Sequence, residues 1–180
     1  MRIIAGTARG RRIEAPEGMD TRPTLDKVRE AVFGKLQFVI PESNVLDMFA
    51  GSGAMGLEAL SRGAVKCTFI DISKKAVVTV KKNADFLGFS DRAVIYKGDS
   101  VKILEGVDEI YDFIFIDPPY KEGLYESAFE AAVKHMSDSS VIVCEHDREI
   151  QFPPSLDIID VKRYSGIFIT YLTKTNSEEI

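Results

Sequence analysis

The chain has 180 residues but only two cysteines, two histidines and no tryptophan, and each scarcity removes a class of protein. Cys67 and Cys144 each stand inside an apolar run that reads as a buried strand, and neither has a metal-ligand or redox spacing. Reduced, buried thiols are expected, which excludes a disulfide framework. His135 and His146 show no ligand spacing either, so no metal is expected. Serine- and cysteine-nucleophile motifs are absent. No run approaches the 18 apolar residues of a membrane span, and the arginine-bearing start lacks the apolar block of a signal peptide. The expectation is a cytoplasmic protein with no membrane partner. Internal repeats and low-complexity segments are missing as well.

What remains is enough for one core. With 45% hydrophobic residues, 180 residues suit a single domain spanning the whole chain. Within it, 1–40 reads as a basic arm and helix, 41–174 as an α/β core and 175–180 as a tail expected to fray. Formal net charge is −5, which argues against indiscriminate nucleic-acid binding. That average hides an asymmetry: residues 1–12 hold Arg2, Arg9, Arg11 and Arg12 and no acid, an arm of +4 ahead of a body of −9.

After a turn-rich stretch at Pro16, Gly18 and Pro23, Leu25, Val28, Val32 and Leu36 have helical spacing, with Thr24 as the expected N-cap. From Asn44 onward, strand-like runs (45–49, 67–71, 94–97, 111–117, 141–145) alternate with helical segments (54–62, 74–87, 101–104, 125–136). Gly63 and Gly88 stand where helix C-caps belong. This is βαβ rhythm, hence a mostly parallel sheet covered on both faces. Two final runs, 158–163 and 166–173, are joined by too short a link for a helix and predict an antiparallel hairpin at the sheet edge.

In such a sheet, ligands bind beyond the carboxyl ends of the strands, and three of the first four strands carry an aspartate at or near that end. The first runs Asp47-Met48-Phe49-Ala50-Gly51-Ser52-Gly53-Ala54-Met55-Gly56, a strand entering a glycine turn and then a helix. Gly51, Gly53 and Gly56 satisfy G-x-G-x-x-G, with Asp71 20 residues after Gly51, so a dinucleotide such as NAD is one reading. S-adenosylmethionine (SAM) is the other. Asp47, just before the turn, suits the ammonium of a zwitterionic methionine end better than a pyrophosphate, and a whole helix precedes the first strand. Asp71 can accept ribose hydroxyls, and Asp99, after Gly98, lies within reach of an adenine amino group. Both are also suited to capping helices.

The fourth strand delivers Asp117-Pro118-Pro119-Tyr120 to the same edge. A base amino group is a poor nucleophile because its lone pair is delocalised into the ring. Two acceptors, the Asp117 carboxylate and the Pro118 carbonyl, favour its change towards tetrahedral geometry, and the carboxylate offsets the charge that develops on nitrogen. Pro118 and Pro119 fix the turn. Tyr120 is suited to stack on a base flipped out of its helix. The motif does not separate guanine from adenine, so an amino methyltransferase acting on DNA adenine or another RNA stays open. An NAD-dependent oxidoreductase and a non-catalytic RNA-binding factor are the readings from other classes.

Beyond these motifs, the chain resembles the RsmD-type bacterial methyltransferases, which modify the 2-amino group of one guanine in 16S ribosomal RNA. The resemblance rests on Arg2-Ile3-Ile4-Ala5-Gly6, Arg9-Gly10-Arg11, Arg22-Pro23-Thr24 with Arg29-Glu30, the glycine turn, and Gly56-Leu57-Glu58-Ala59-Leu60. It departs from the family's usual residues at Ala5, Met48 and Asp71, the last keeping a ribose acceptor. The resemblance implies a Rossmann-like, seven-stranded SAM-dependent methyltransferase fold and a monomer acting on 16S rRNA within a small-subunit particle. The cofactor set is then Asp47, Phe49, Ala50, Gly51, Ser52, Gly53, Asp71, Ile72, Gly98, Asp99, Ser100 and Asp117. The catalytic set is Asp117, Pro118, Pro119 and Tyr120. RNA contacts fall to Arg2, Arg9, Arg11, Arg12 and Arg22, with Arg22 and Thr24 alternatively reaching the SAM carboxylate.

Overall fold

Side chains of alternating strand residues point to opposite faces, and here both faces are apolar. The computed structural model describes residues 1–17, 23–119 and 123–175, with backbone alone for 23–25. In chain order the elements are α1 (Pro23–Leu36), β1 (Asn44–Asp47), α2 (Ala54–Ser61), β2 (Lys66–Asp71), α3 (Lys74–Leu87), β3 (Ala93–Lys97), α4 (Ser100–Leu104), β4 (Tyr111–Ile116), α5 (Leu124–Val133), β5 (Met136–His146), β6 (Leu156–Tyr164) and β7 (Ile167–Lys174). They build one seven-stranded sheet in the order β3-β2-β1-β4-β5-β7-β6.

Val45, Phe69, Phe113, Phe115 and Val143 pack on one face against α1, α2, α3 and the N-terminal arm. Leu46, Ile70, Ile114, Ile116 and Ile142 pack on the other against α4 and α5. Burial on both faces is why these strands read as continuous apolar runs. The first five strands pair in parallel, and only β7 runs antiparallel to its neighbours β5 and β6. The closing hairpin turns at Ser165 and Gly166, both with positive φ (47° and 91°), the turn geometry that matches strand twist. The expected hairpin is present, and β6 is its outer strand.

Three boundaries differ from expectation. Helix α1 begins at Pro23, because the fixed φ of proline suits the first helical position. That puts Thr24 inside the first turn instead of at the cap. Helix α5 stops at Val133, and β5 begins at Met136, five residues before the expected start. Met136 pairs with Tyr111 across a register shift, an irregularity that apolar periodicity does not mark.

The arm is folded onto the body. Ile3 N–H donates to Arg11 O (2.9 Å), Gly10 N–H to Ile3 O (2.8 Å) and Ile13 N–H to Met1 O (3.1 Å). Its anchor is Glu58 of α2, whose fully buried carboxylate accepts from the amides of Ile4 (2.8 Å) and Ala5 (3.0 Å) and from Arg62 Nε (2.7 Å). Ser61 adds a second anchor, donating to Ala5 O (2.6 Å) and accepting from Ala8 N–H (3.0 Å). Arg29, also buried, closes the knot by donating to Arg2 O (2.6 Å).

Candidate active site

Four loops meet beyond the carboxyl ends of β1 to β4, and main-chain hydrogen bonds lock them together. Met48 N–H donates to Phe115 O (3.1 Å), Ala50 N–H to Ile70 O (3.0 Å) and Gly98 N–H to Asp71 O (3.0 Å). Ser100 Oγ donates to Met48 O. The residues expected to hold a cofactor, spread over 70 positions of sequence, thus share one rim of the sheet, with the Asp117 loop beside the glycine turn.

The turn is tight because the helix behind it is close. A Cβ on Gly56 would lie 2.3 Å from the Phe69 ring and 2.5 Å from Cys67 Sγ, so a side chain there would force α2 off β2. Gly51 N–H donates to Asp71 Oδ2 (2.8 Å), and Ser73 N–H donates to Asp71 Oδ1 (2.8 Å). Asp71 is thereby aimed across the turn with lone pairs to spare. Next to it, Ile72 is 71% exposed, an apolar side chain left uncovered at the rim. Asp99 caps α4 by accepting from Lys102 N–H (3.2 Å), the capping role open to it in the sequence. Ser100 is buried and spends its hydroxyl on Met48.

Asp47 is buried and accepts from Gly56 N–H (3.2 Å). Burial raises its pKa to about 7, the Gly56 amide works against that rise, and the nearby Asp71 charge adds to it. No cation among the described residues offsets this rise. Asp117 stands open to solvent at the end of β4. Desolvation by the surrounding chain, then the charges of Glu145 and Asp47, hold its pKa well above the usual carboxylate range. Pro118 is buried and Pro119 exposed. Tyr120 and Arg22 lie outside the described residues.

The expected RNA-contacting arginines divide. Arg2, Arg9, Arg11 and Arg12 are all exposed, but they differ in their contacts. Arg11 is committed to α3: its guanidinium donates to the carbonyls of Leu87 (3.2 Å) and Phe86 and sits 4.3 Å from the centroid of the Phe86 ring. Both histidines are structural. His146 stacks on Phe168 and bridges Arg148 O (2.6 Å) and Thr170 Oγ1 (2.8 Å), while His135 Nδ1 meets Glu109 O (2.8 Å). Among the described residues no group of three or more His, Cys, Asp or Glu side chains is placed to hold a metal. No helix there is long and apolar enough to cross a membrane.

Sequence reasoning missed two features. The role of Glu58 as the buried anchor of the arm was hidden inside a motif read only for its resemblance. Asn83, 2% exposed on α3, carried no signal, because a lone asparagine in a helix reads as a solvated residue.

The family described as conserved hypothetical protein 95 matches residues 1–173. The YlbH protein of Bacillus subtilis is 38% identical over 161 residues, covering 87% of this chain and 88% of that protein. Ribosomal RNA small subunit methyltransferase D of Escherichia coli is 35% identical over 155 residues, covering 85% and 78%. The solved structure of the Escherichia coli yhhF protein superposes with a TM-score of 0.88 at 31% identity, covering 98% of this chain and 99% of that one. With a shared fold, 35% identity over most of the chain and a family match over nearly its whole length, the chain belongs to the conserved hypothetical protein 95 family, the RsmD-type methyltransferases.

Proposed function

We propose that the protein is a SAM-dependent methyltransferase acting on the 2-amino group of a guanine in 16S rRNA, as a cytoplasmic monomer working on a small-subunit particle. The observation that carries this reading is the meeting of Asp47 and Asp117 at one rim. A buried carboxyl that no cation among the described residues offsets lies beside an exposed carboxyl suited to hold an amino group.

The residues present fit the cofactor. Asp47 would take its ammonium, Asp71 its ribose hydroxyls, and the exposed Ile72 would cover its adenine, with Asp99 at the adenine edge. When bound, SAM supplies a methyl group on a positively charged sulfur. Asp117 and the Pro118 carbonyl accept the two N–H bonds of the base and draw its nitrogen towards tetrahedral geometry. The Asp117 carboxylate also offsets the positive charge growing on that nitrogen. Fixing the base at one orientation lowers the entropic part of the barrier, with Tyr120 as the stacking surface and Pro119 stiffening the turn. Arg2, Arg9 and Arg12 would make the phosphate contacts, while Arg11 serves the arm's own anchorage.

The test is mass spectrometry of 16S rRNA nucleosides after small-subunit particles are incubated with SAM and protein. Wild type should produce 2-methylguanosine. Asp117→Ala should produce none while still binding S-adenosylhomocysteine, because the lost group serves the base. A different methylated nucleoside, or turnover by Asp117→Ala near wild type, would refute the assignment.

A further inference from the structure

The buried stripe of α3 runs Ala76, Val80, Asn83, Ala84 and Leu87, and one member of it is polar. Asparagine is a poor choice for the interior of a helix, and an amide buried without partners costs more than an alanine would. Its partners explain it. Asn83 Nδ2 donates to Ser52 O (3.0 Å) in the glycine turn and to Glu14 O (2.9 Å) at the end of the arm, while Oδ1 accepts from Glu14 N–H (2.9 Å). Only an amide nitrogen can donate to two carbonyls at once, so the orientation of the side chain is fixed. Both N–H bonds are used.

Ser52 is the residue between the two turn glycines, and it is held from more than one side. The preceding amide, Gly51 N–H, goes to Asp71. Ser52 Oγ lies 3.8 Å from Sδ of Met1, the first residue of the arm. The arm therefore touches the turn at Met1 and is tied to it through Asn83 at Glu14.

We infer that Asn83 is a positioning residue that fastens the SAM-binding turn to the N-terminal arm, so that cofactor binding and arm docking stabilise each other. The inference rests on the SAM site described above, and its binding and hydrogen-exchange readouts need no RNA. If both contacts share one amide, ordering the turn with ligand must order Glu14, and releasing Glu14 must loosen the turn. By linkage the two effects are equal in size.

The experiment measures S-adenosylhomocysteine affinity by calorimetry for wild type, Asn83→Leu and Asn83→Asp, with Lys81→Ala as a control. Leucine keeps the bulk and removes every hydrogen bond. Aspartate keeps the Glu14 N–H acceptor and loses the donors to Ser52 O and Glu14 O. Both variants should bind about tenfold or more weakly, with KM for SAM raised and kcat at saturating SAM within about threefold of wild type. Lys81→Ala alters an exposed residue of the same helix that holds neither Glu14 nor Ser52, and should bind as wild type does. A measurement on unaltered protein stands beside these: saturating S-adenosylhomocysteine should slow hydrogen exchange at the Glu14 amide. Folded Asn83 variants with wild-type affinity, or a Glu14 amide indifferent to ligand, would overturn the coupling. Wild-type protein that fails to bind would instead bring down the SAM site itself.

Discussion

Asp47 shows how a single residue trades stability for binding. Its neutral form is favoured in the folded chain up to about pH 7, against an ordinary value of 3.8. The stability this lends the ligand-free protein is complete below pH 3.8 and lost as pH rises through about 7, at up to about 1.4 kcal/mol per pH unit. A ligand ammonium reverses the preference. Affinity for S-adenosylhomocysteine should therefore climb as pH rises through about 7, and binding at pH 6 should release a proton, measurable by calorimetry in buffers of different ionisation enthalpy. Asp47→Asn should melt higher than wild type at pH 8 yet bind more weakly by about tenfold or more. A variant that lost melting temperature and kept its affinity would contradict the ammonium assignment.

Among the elements, the arm depends most on one backbone position. Gly6 has φ +81°, and a Cβ there would lie 1.8 Å from the Ser61 carbonyl oxygen. Alanine at this position meets main chain, which cannot move aside as a side chain can. Gly6→Ala should detach the arm and cost on the order of 1–3 kcal/mol, read as a fall in the denaturation midpoint and faster hydrogen exchange at Ile4 and Ala5. Retained protection of those two amides would show that Glu58 holds the arm without Ser61. The sequence made the strands, α2, α3 and the hairpin legible because their periodicity is local, and it made the rim legible because each carboxylate follows a strand. The docked arm was not legible. Its partners Glu58, Ser61 and Asn83 are polar residues inside helices, and only tertiary structure shows that they face inward. Asp99 was legible in chemistry but ambiguous in role, since the same carboxylate suits a cap and an adenine.

At the scale of the whole molecule, charge is separated between an acidic body and the exposed guanidinium groups of Arg2, Arg9 and Arg12. If these meet phosphate, each contact adds about one to the magnitude of the salt slope of binding. Arg9→Ala with Arg12→Ala should therefore reduce the slope for small-subunit particles by about 2, without changing the melting temperature. Arg11→Ala should act in the opposite sense, lowering the melting temperature through its lost contacts to Phe86 and Leu87. A slope unmoved by the double variant would take the arm out of the interface.

The way the arm is anchored also orders events in time. Arg11 and its carbonyl partner Leu87 are 76 residues apart, and Glu58 and Asn83 likewise follow the segments they hold. During synthesis at about 5–20 residues per second, Arg11 waits on the order of 4–15 seconds for its carbonyl partner on α3. A nascent chain thus emerges with the Arg11 guanidinium unpaired, and the last-made anchor on α3 decides when it is set.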